Sequence, residues 1–204
     1  MRVVVIDYGM SNLGSINNAL IECGGENVAV ATDPKELFSA THIILPGVGA
    51  FKDGMDNLLK FGWESPLNKI VQDKVPLLGI CLGMQLLASS GKEGGETKGL
   101  NLISGEIQKF KATSLGEKIP HVGWNEVYPS HQSALFEGIP AGTDFYFVHS
   151  YHFVPKNKKH ILSTTPYCGH FVSSVAQDNI FGTQFHPEKS QRPGFQLLKN
   201  FLNL

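Results

Sequence analysis

The chain has 204 residues, of which 42% are hydrophobic and 17% are charged, and its formal net charge is −1. These values predict one folded domain over residues 1–204 with a full hydrophobic core, and they exclude a disordered chain. The near-zero charge gives no electrostatic reason to expect nucleic acid or a membrane as a partner, and no apolar run approaches the ~18 residues of a membrane span.

Short apolar runs alternate with helix-like segments in the first half of the chain. The predicted strands are Val3–Ile6, Val28–Ala31, His42–Leu45 and Leu77–Ile80. The predicted helices are Asn12–Cys23, Pro34–Ser39, Met55–Phe61, Pro66–Gln72 and Leu82–Ser89. Continuous apolar strands between helices are typical of a sheet that is covered on both faces, so we predict a three-layer α/β fold with a mostly parallel central sheet.

The second half is rich in strands and poor in helix. An exposed Gly/Lys/Glu-rich loop is predicted at Ser90–Lys98 and a final helix at about Gly194–Leu202. The predicted strands are Gly105–Phe110, Asn125–Val127, Asp144–Val148, His160–Thr164, Phe171–Ala176 and Ile180–Gln184. Such a series predicts antiparallel additions to the parallel core, within a single domain.

Cys81 lies where the apolar run Leu77–Ile80 ends and a helical segment begins at Leu82. Gly79 and Gly83 flank it two residues away on either side, as in a nucleophile elbow, a sharp strand-to-helix turn that exposes one reactive side chain. The N–H groups at a helix start and its dipole can lower a thiol pKa from about 8.5 to roughly 3.5–7.5. The pattern predicts a thiolate nucleophile at neutral pH.

A base and an orienting group for Cys81 are predicted just after the strand Ile180–Gln184. His186 and Glu188 are two residues apart, so they point to one side of an extended backbone, and Pro187 restrains His186 to extended conformations. Glu188 would bind one imidazole nitrogen while the other faces the sulfur. A cysteine after a strand is more often a small buried hydrophobe, but the elbow and His-Pro-Glu together favour catalysis.

The other two cysteines, Cys23 and Cys168, lack such a setting and are interpreted as structural. Three cysteines without paired spacing predict reduced thiols and a cytoplasmic protein. The sequence contains neither CxxC nor HExxH, and the short run His149–His152 is weak evidence for a metal. No metal site and no cofactor are predicted.

A Gly-Val-Gly turn, Gly47 to Gly49, follows the strand His42–Leu45. Such a turn presents backbone N–H groups to an anion, and beside an elbow it predicts half of an oxyanion hole at Gly49, with the Leu82 N–H as the other half. An ordinary tight turn explains the same residues if Cys81 is ignored. Two further segments are left open between core edge, pocket wall and interface: Pro120–Asn125 and Phe145–His152.

These motifs together resemble class I glutamine amidotransferases, and among them the glutaminase subunits of imidazole glycerol phosphate synthase, from histidine biosynthesis. The resemblance runs nearly end to end. The residues that carry it are Asp7–Met10, Leu45–Phe51, Gly79–Leu87, Pro120–Asn125, Phe145–Tyr151 and Gln184–Ser190.

The resemblance implies a role for each site residue. Cys81 would attack the side-chain amide of L-glutamine, leaving a γ-glutamyl thioester, and water would then release glutamate. His186 would pass the thiol proton to the departing ammonia, and Glu188 would complete the triad. The oxyanion donors and glutamine-binding residues that the resemblance implies are Gly49, Leu82, Gln85, His149, Ser150 and Tyr151.

The resemblance also implies a partner, a (β/α)8-barrel cyclase subunit that uses the ammonia to make imidazole glycerol phosphate and AICAR. Ammonia released into neutral water would become ammonium, which is not a nucleophile, so the chemistry calls for a docked acceptor in a heterodimer. A peptide flip at Val48 would make the glutaminase depend on that partner. The positions expected to face it are Asn12, Trp124, Asn125 and Lys189.

Two alternatives stay open at this point. Paralogues in the family supply ammonia for amidination of bacterial surface sugars, and the stretch Thr165–Gly169 resembles those more closely. A self-sufficient cysteine hydrolase of γ-glutamyl compounds would use the same elbow without a partner. A catalytically silent binding subunit is disfavoured, because all three triad residues are present.

Overall fold

The computed structural model describes residues 1–113 and 116–204, which contain thirteen strands and five α-helices. The strands are β1 Val3–Ile6, β2 Val28–Ala31, β3 His42–Leu45, β4 Leu77–Ile80, β5 Ser90–Gly91, β6 Thr97–Lys98, β7 Gly105–Lys109, β8 His121–Pro129, β9 Thr143–His149, β10 Tyr151–Pro155, β11 Ile161–Pro166, β12 His170–Gln177 and β13 Ile180–Thr183. The α-helices are α1 Leu13–Glu22, α2 Phe51–Lys60, α3 Glu64–Gln72, α4 Leu82–Leu86 and α5 Gln191–Leu202. Short 3-10 helices occupy Pro34–Ser39, Ala134–Phe136, Lys158–His160 and Pro187–Lys189.

The sheet has a parallel centre and antiparallel additions. Strands β2, β1, β3, β4 and β13 lie side by side in that order and are all parallel. Beyond β13 the sheet continues through β12, β10 and β7 in antiparallel pairs, while β11 branches from β12 to carry β8 and β9. The predicted α/β fold, a mostly parallel core with antiparallel additions, is confirmed.

Strand β1 shows why three layers form. Its four residues are fully buried and alternate between two cores. Val4 and Ile6 belong to the core that contains the apolar sides of α2 and α3, whereas Val3 and Val5 belong to the core that contains those of α1 and α5. Since successive side chains of a strand point to opposite faces, a continuous apolar strand requires helices on both sides.

Helix α2 begins at Phe51, four residues before the predicted Met55. The carboxylate of Glu93 accepts the Phe51 N–H over 2.9 Å and so occupies a donor that a helix start leaves unpaired. The Phe51 ring is fully buried, which fixes the first turn by packing. The Glu93 contact comes from 42 residues away in the chain, so local sequence does not reveal it.

The loop that was predicted to be exposed at Ser90–Lys98 is partly ordered into the β5–β6 pair, which corrects that prediction. Gly91 is buried there, and an added Cβ would lie 2.6 Å from the Phe51 ring. Helix α4 ends at Leu86 rather than Ser89, and strand β10 was not predicted at all. Strand β10 exists because its backbone pairs with β7 and β12, partners that are distant in sequence.

No helix in the two described ranges is long and apolar enough to cross a membrane.

Candidate active site

Cys81 sits on the predicted elbow between β4 and α4. Its backbone has φ 55° and ψ −110°, a left-handed conformation that an L-residue adopts only under constraint. The flanking glycines allow the turn, because a Cβ on Gly79 would lie 2.7 Å from the Gly83 carbonyl oxygen and one on Gly83 would lie 1.8 Å from that of Leu45. The strained, 7% exposed Cys81 borders one of the two hydrophobic cores and also lines a cavity.

The sheet brings the predicted base to the same edge. Strand β13 pairs with β4 in parallel, with Thr183 opposite Ile80, so the two chains leave the sheet side by side. The Cys81 N–H donates to the Thr183 carbonyl over 2.7 Å, which ties the elbow to the segment leading to His186. Both groups therefore lie at the carboxyl ends of parallel strands, where α/β sheets place their ligands.

His186 and Glu188 form a buried pair. His186 Nδ1 lies 2.7 Å from Glu188 Oε1, and both side chains are at most 3% exposed. The expected extended geometry is wrong for Glu188, because Pro187–Lys189 is a 3-10 helix that folds the carboxylate back to the ring. His186 Nε2 is buried and interacts with the Cys81 side chain, so it is placed to move a proton.

The charge state of His186 reflects three competing influences. Burial disfavours the imidazolium, but the Cys81 sulfur and the Glu188 carboxylate favour it and together raise the pKa of His186 to about 10. The cation is therefore the resting form at neutral pH, facing the sulfur. Such an arrangement suits a thiolate–imidazolium pair.

Ser190 anchors the triad loop to β9 and was not identified from the sequence. Its Oγ donates to the His186 carbonyl over 2.6 Å and accepts the Tyr146 N–H over 3.0 Å. The His186 N–H in turn donates to the Tyr146 carbonyl over 2.9 Å. The free edge of β9 is thus covered by the loop that carries the base. Only the position of Ser190 at the end of the His-Pro-Glu-Lys-Ser motif hinted at this role.

Two N–H groups at the predicted oxyanion site, those of Val48 and Leu82, are engaged within the protein, whereas Gly49 lines the cavity and stays a predicted donor. The Val48 N–H donates to the Met10 carbonyl over 2.8 Å, and the Leu82 N–H donates to the Gly47 carbonyl over 3.3 Å. The Leu82 N–H is thus not the free donor that was predicted. Tyr8 supports this segment, because its hydroxyl donates to the Pro46 carbonyl over 2.8 Å.

A cavity of about 370 Å³ joins the predicted catalytic and binding residues. Every one of them except Glu188 lines it, and Glu188 lies behind His186. The lining is Val48, Gly49, Cys81, Leu82, Gln85, Glu93, Pro120, Val148, His149, Ser150, Tyr151 and His186. A larger cavity of about 680 Å³ lies on the far side of β8, along residues 129–141, and contains none of the triad.

Gln85 is held by the protein rather than free for a ligand. Its Nε2 donates to the Tyr151 carbonyl over 3.1 Å and to Gln184 Oε1 over 2.9 Å, so both amide protons are used. The amide oxygen remains as the acceptor for a ligand. Gln184, which was predicted only as the end of a strand, points its Nε2 at Cys81 Sγ over 3.7 Å.

Glu93 is the sole carboxylate among the residues that line the cavity, and it was hidden in a loop interpreted as solvent-exposed. One oxygen accepts the Phe51 N–H, which fixes the side chain at the rim. A fixed negative charge at that position suits an ammonium group. Within residues 1–113 and 116–204, no cluster of His, Cys, Asp or Glu could hold a metal ion.

The predicted partner-facing residues divide into two groups. Trp124 is 47% exposed and contacts the Tyr146 ring edge-on, and Asn12 and Lys189 are also exposed. Asn125 differs, because strand alternation turns it to the opposite face of β8 from Trp124. Its side chain donates to the Pro166 carbonyl and contacts a histidine ring, so it is engaged within the protein, and the prediction that Asn125 faces a partner stays a prediction.

Known proteins resemble this chain over nearly its whole length. The model of the family "Glutamine amidotransferase class-I" matches residues 4–204. "Imidazole glycerol phosphate synthase subunit HisH" of Moorella thermoacetica is 50% identical over 199 residues, covering 98% of this chain and 93% of the relative. The protein of the same name from Aquifex aeolicus is 45% identical over 201 residues, covering 98% and 96%.

Solved structures share the fold at low identity. A glutamine amidotransferase from Thermotoga maritima superposes with a TM-score of 0.68 at 21% identity, covering 95% of this chain and 78% of that one. The structure of PurLQS from the same organism gives a TM-score of 0.76 at 18% identity, with coverage of 99% and 97%. From the family match and the sequence relatives it follows that the chain belongs to the class I glutamine amidotransferase family, together with the HisH subunits.

Proposed function

We propose that the chain is the glutaminase subunit of imidazole glycerol phosphate synthase, with Cys81, His186 and Glu188 as its catalytic triad. The observation that carries the proposal is the meeting of a strained Cys81 with the buried His186–Glu188 pair in one cavity. The relatives, which share 45–50% identity, favour the histidine pathway over amidination of surface sugars.

The first half of the reaction uses the ion pair. The Cys81 thiolate attacks the amide carbon of L-glutamine, and the negative charge moves to the carbonyl oxygen. When the intermediate collapses, the carbon–nitrogen bond breaks and His186 gives its Nε2 proton to the leaving nitrogen, so ammonia departs neutral. A γ-glutamyl thioester remains on the sulfur.

The second half regenerates the pair. His186, now neutral, takes a proton from water, and the hydroxide attacks the thioester carbon. Glutamate leaves, and the sulfur returns to its anionic form beside the imidazolium. Glu188 acts through His186 in both halves, since its hydrogen bond to Nδ1 fixes the ring and stabilises the cation.

Hydrogen-bond acceptors around the cavity support glutamine as the substrate. Glu93 offers a carboxylate to the α-ammonium group, and the free oxygen of Gln85 offers an acceptor to an N–H donor. Gly49, His149, Ser150 and Tyr151 complete the wall. A site of fixed acceptors selects an amide over a carboxylate, because glutamate would leave buried acceptors unpaired or facing its own charge.

The ammonia goes to a (β/α)8-barrel cyclase subunit docked over the cavity mouth, in a heterodimer. Exposed apolar side chains at that mouth support this interface, since Val48, Val122, Trp124 and Val148 are 38–57% exposed. We place Asn12 and Lys189 at its rim. Residues 1–204 act as one amidotransferase domain, and the unpaired cysteines support a cytoplasmic location.

Two measurements test the proposal. Cys81→Ser should abolish release of glutamate and ammonia from glutamine while the protein stays folded, and normal glutaminase activity in that variant would refute the assignment. Mixed with the cyclase subunit, the Cys81→Ser protein should support imidazole glycerol phosphate formation from ammonium salts but not from glutamine. A wild-type chain with full turnover and no response to the cyclase would instead point to a stand-alone hydrolase.

A further inference from the structure

Four polar groups beside the glutamine site form a buried series of hydrogen bonds. His121 and His149 face each other across the β8–β9 pair, and His121 Nδ1 lies 3.1 Å from His149 Nε2. His149 Nδ1 lies 2.8 Å from the Tyr151 carbonyl oxygen, and His121 Nε2 lies 3.2 Å from Asn125 Nδ2. Both imidazoles are buried, so these contacts are their polar environment.

The groups at the two ends of this series of hydrogen bonds determine which ring nitrogen carries each proton. A carbonyl oxygen only accepts, so His149 carries its proton on Nδ1. Burial lowers the pKa of His149 to about 3 and that of His121 to about 4, so both rings are neutral at physiological pH. His149 Nε2 therefore accepts, and His121 must donate to it from Nδ1. His121 Nε2 then accepts from Asn125.

The Asn125 side chain is fixed with its amide nitrogen toward His121, as a donor to Nε2 requires. Its Oδ1 accepts the Glu126 N–H over 2.9 Å, and its Nδ2 also donates to the Pro166 carbonyl over 3.1 Å. The amide nitrogen thus faces His121. All the hydrogen bonds run in one direction, from Asn125 to the Tyr151 carbonyl, and reversing any of them would leave two donors or two acceptors in contact.

Ring stacking prevents the His121 imidazole from rotating away from these hydrogen bonds. Its ring lies between Tyr167, at 3.9 Å between centroids, and Phe147, at 4.9 Å, with interplanar angles of 22° and 26°. A phenylalanine ring would fill the same slot without any hydrogen bond. The site therefore allows packing and hydrogen bonding to be separated experimentally.

The series of hydrogen bonds ends at the Tyr151 carbonyl oxygen, which also holds Gln85 of the substrate site. The Tyr151 carbonyl accepts from His149 and also from Gln85, whose second proton goes to Gln184, the residue that points at Cys81. We propose that His121 is a positioning residue of the glutamine site. It holds His149 in one tautomer, and His149 holds the Tyr151 carbonyl and the Gln85 amide in their substrate-accepting orientation. This inference rests on the proposed glutaminase function.

The test compares His121→Phe with His121→Asn in the full chain. Phenylalanine keeps the stacking and removes both ring nitrogens, whereas asparagine places a donor where Nδ1 lies. Glutamine affinity is measured by calorimetry in the Cys81→Ser background, and KM and kcat with the cyclase subunit present. Ring-nitrogen NMR shifts of His149 report its tautomer without any ligand.

His121→Phe should weaken glutamine binding and raise KM about 10-fold, with a smaller change in kcat, and should make the His149 tautomer mixed. His121→Asn should stay within about threefold of wild type and keep the proton of His149 on Nδ1. The proposal is overturned if His121→Phe keeps both the affinity and the tautomer, or if both variants lose affinity equally. If Cys81→Ser alone binds no glutamine, the proposed function fails, and the His149 tautomer in the two variants still decides the inference.

Discussion

The backbone N–H of Leu82 donates to the carbonyl oxygen of Gly47 over 3.3 Å, directly beside Cys81. A donor needed to stabilise an oxyanion is thus satisfied within the protein, and the neighbouring Val48 N–H is turned to Met10. A rotation of the Gly47–Val48 peptide would free the Leu82 N–H and redirect that of Val48. In the proposed mechanism, the resting site therefore has its nucleophile and base in place, while these two N–H groups are not available to an oxyanion.

We therefore expect the isolated chain to have low glutaminase turnover. Removing one oxyanion donor costs about 10²–10³ in kcat, so the cyclase subunit with its ligand should stimulate turnover by about 10²-fold or more. The measurement is glutamate release with and without the cyclase subunit. The KM for glutamine should change less than kcat, and high unstimulated turnover would contradict the prediction.

Glu188→Gln should move the alkaline limb of the pH–rate profile. The pKa of His186 is raised to about 10, so its imidazolium persists up to that pH and is lost as the pH rises further. Removing the Glu188 charge lowers this pKa, so kcat/KM should begin to fall about 1–3 pH units earlier. Profiles of kcat/KM measured for both proteins with the cyclase subunit test this. An unmoved alkaline limb would make Glu188 purely structural.

Glu93→Gln should raise the KM for glutamine about 10-fold or more while leaving kcat at saturation nearly unchanged. The substituted side-chain amide still offers an oxygen to the Phe51 N–H, so the fold is preserved and only the negative charge is lost. Glu96→Gln is the matched control, because Glu96 is exposed in the same loop and does not line the cavity. Equal effects of the two substitutions would rule out a specific contact with the α-ammonium group.

Gly83→Ala should destabilise the protein by about 3 kcal/mol or more, because its Cβ would lie 1.8 Å from the Leu45 carbonyl oxygen. Gly14→Ala in helix α1 is the opposite case. Nothing lies within 4 Å of its added Cβ, so it should stabilise the protein by about 0.5–1 kcal/mol. Urea unfolding of the two variants measures the contrast. A tolerated Gly83→Ala would mean that the elbow can relax.

Acid should destabilise the protein through its buried histidines. His121 and His149 stay neutral when folded until about pH 4 and about pH 3, whereas in an unfolded chain they take up protons near pH 6.5. Their stabilising contribution is complete above pH 6.5 and is lost as pH falls toward those folded values. His121→Phe should reduce the slope of unfolding free energy against pH by about 1.4 kcal/mol per pH unit at pH 5. An unchanged slope in His121→Phe would contradict this prediction.

The parts of the fold that could be predicted are those that local sequence determines. Strands β1 to β4 were predicted with their observed ends, because β-branched or apolar runs bounded by turns leave little choice. Strand β10 was missed because its hydrogen-bond partners lie far away in the chain. Helix α2 was started too late for the same reason, its first donor being paired by Glu93. The β5–β6 pair is local, but each strand has only two residues, and its Gly/Lys/Glu-rich sequence was interpreted as a loop.

The candidate site, like the fold, could be predicted only in part from the sequence. The motifs around Cys81 and His186 predicted three residues that the structure brings together, and their role as a catalytic triad stays a prediction. They did not indicate that Glu188 is reached through a 3-10 turn, or that Asn125 faces inward, because side-chain direction depends on the register of β8 with β9. The supporting residues Tyr8, Gln184 and Ser190 act through tertiary contacts, which a linear pattern does not encode.

The insertion of β13 between β4 and β12 gives the enzyme an internal safeguard. Cys81 and the β13 segment are about a hundred positions apart in the chain, and strand pairings of such long range form slowly. Until β13 docks, one edge of β4 is unpaired, and His186 does not lie beside Cys81. If these residues act as proposed, a half-folded molecule does not hydrolyse glutamine, and glutaminase activity requires a complete central sheet.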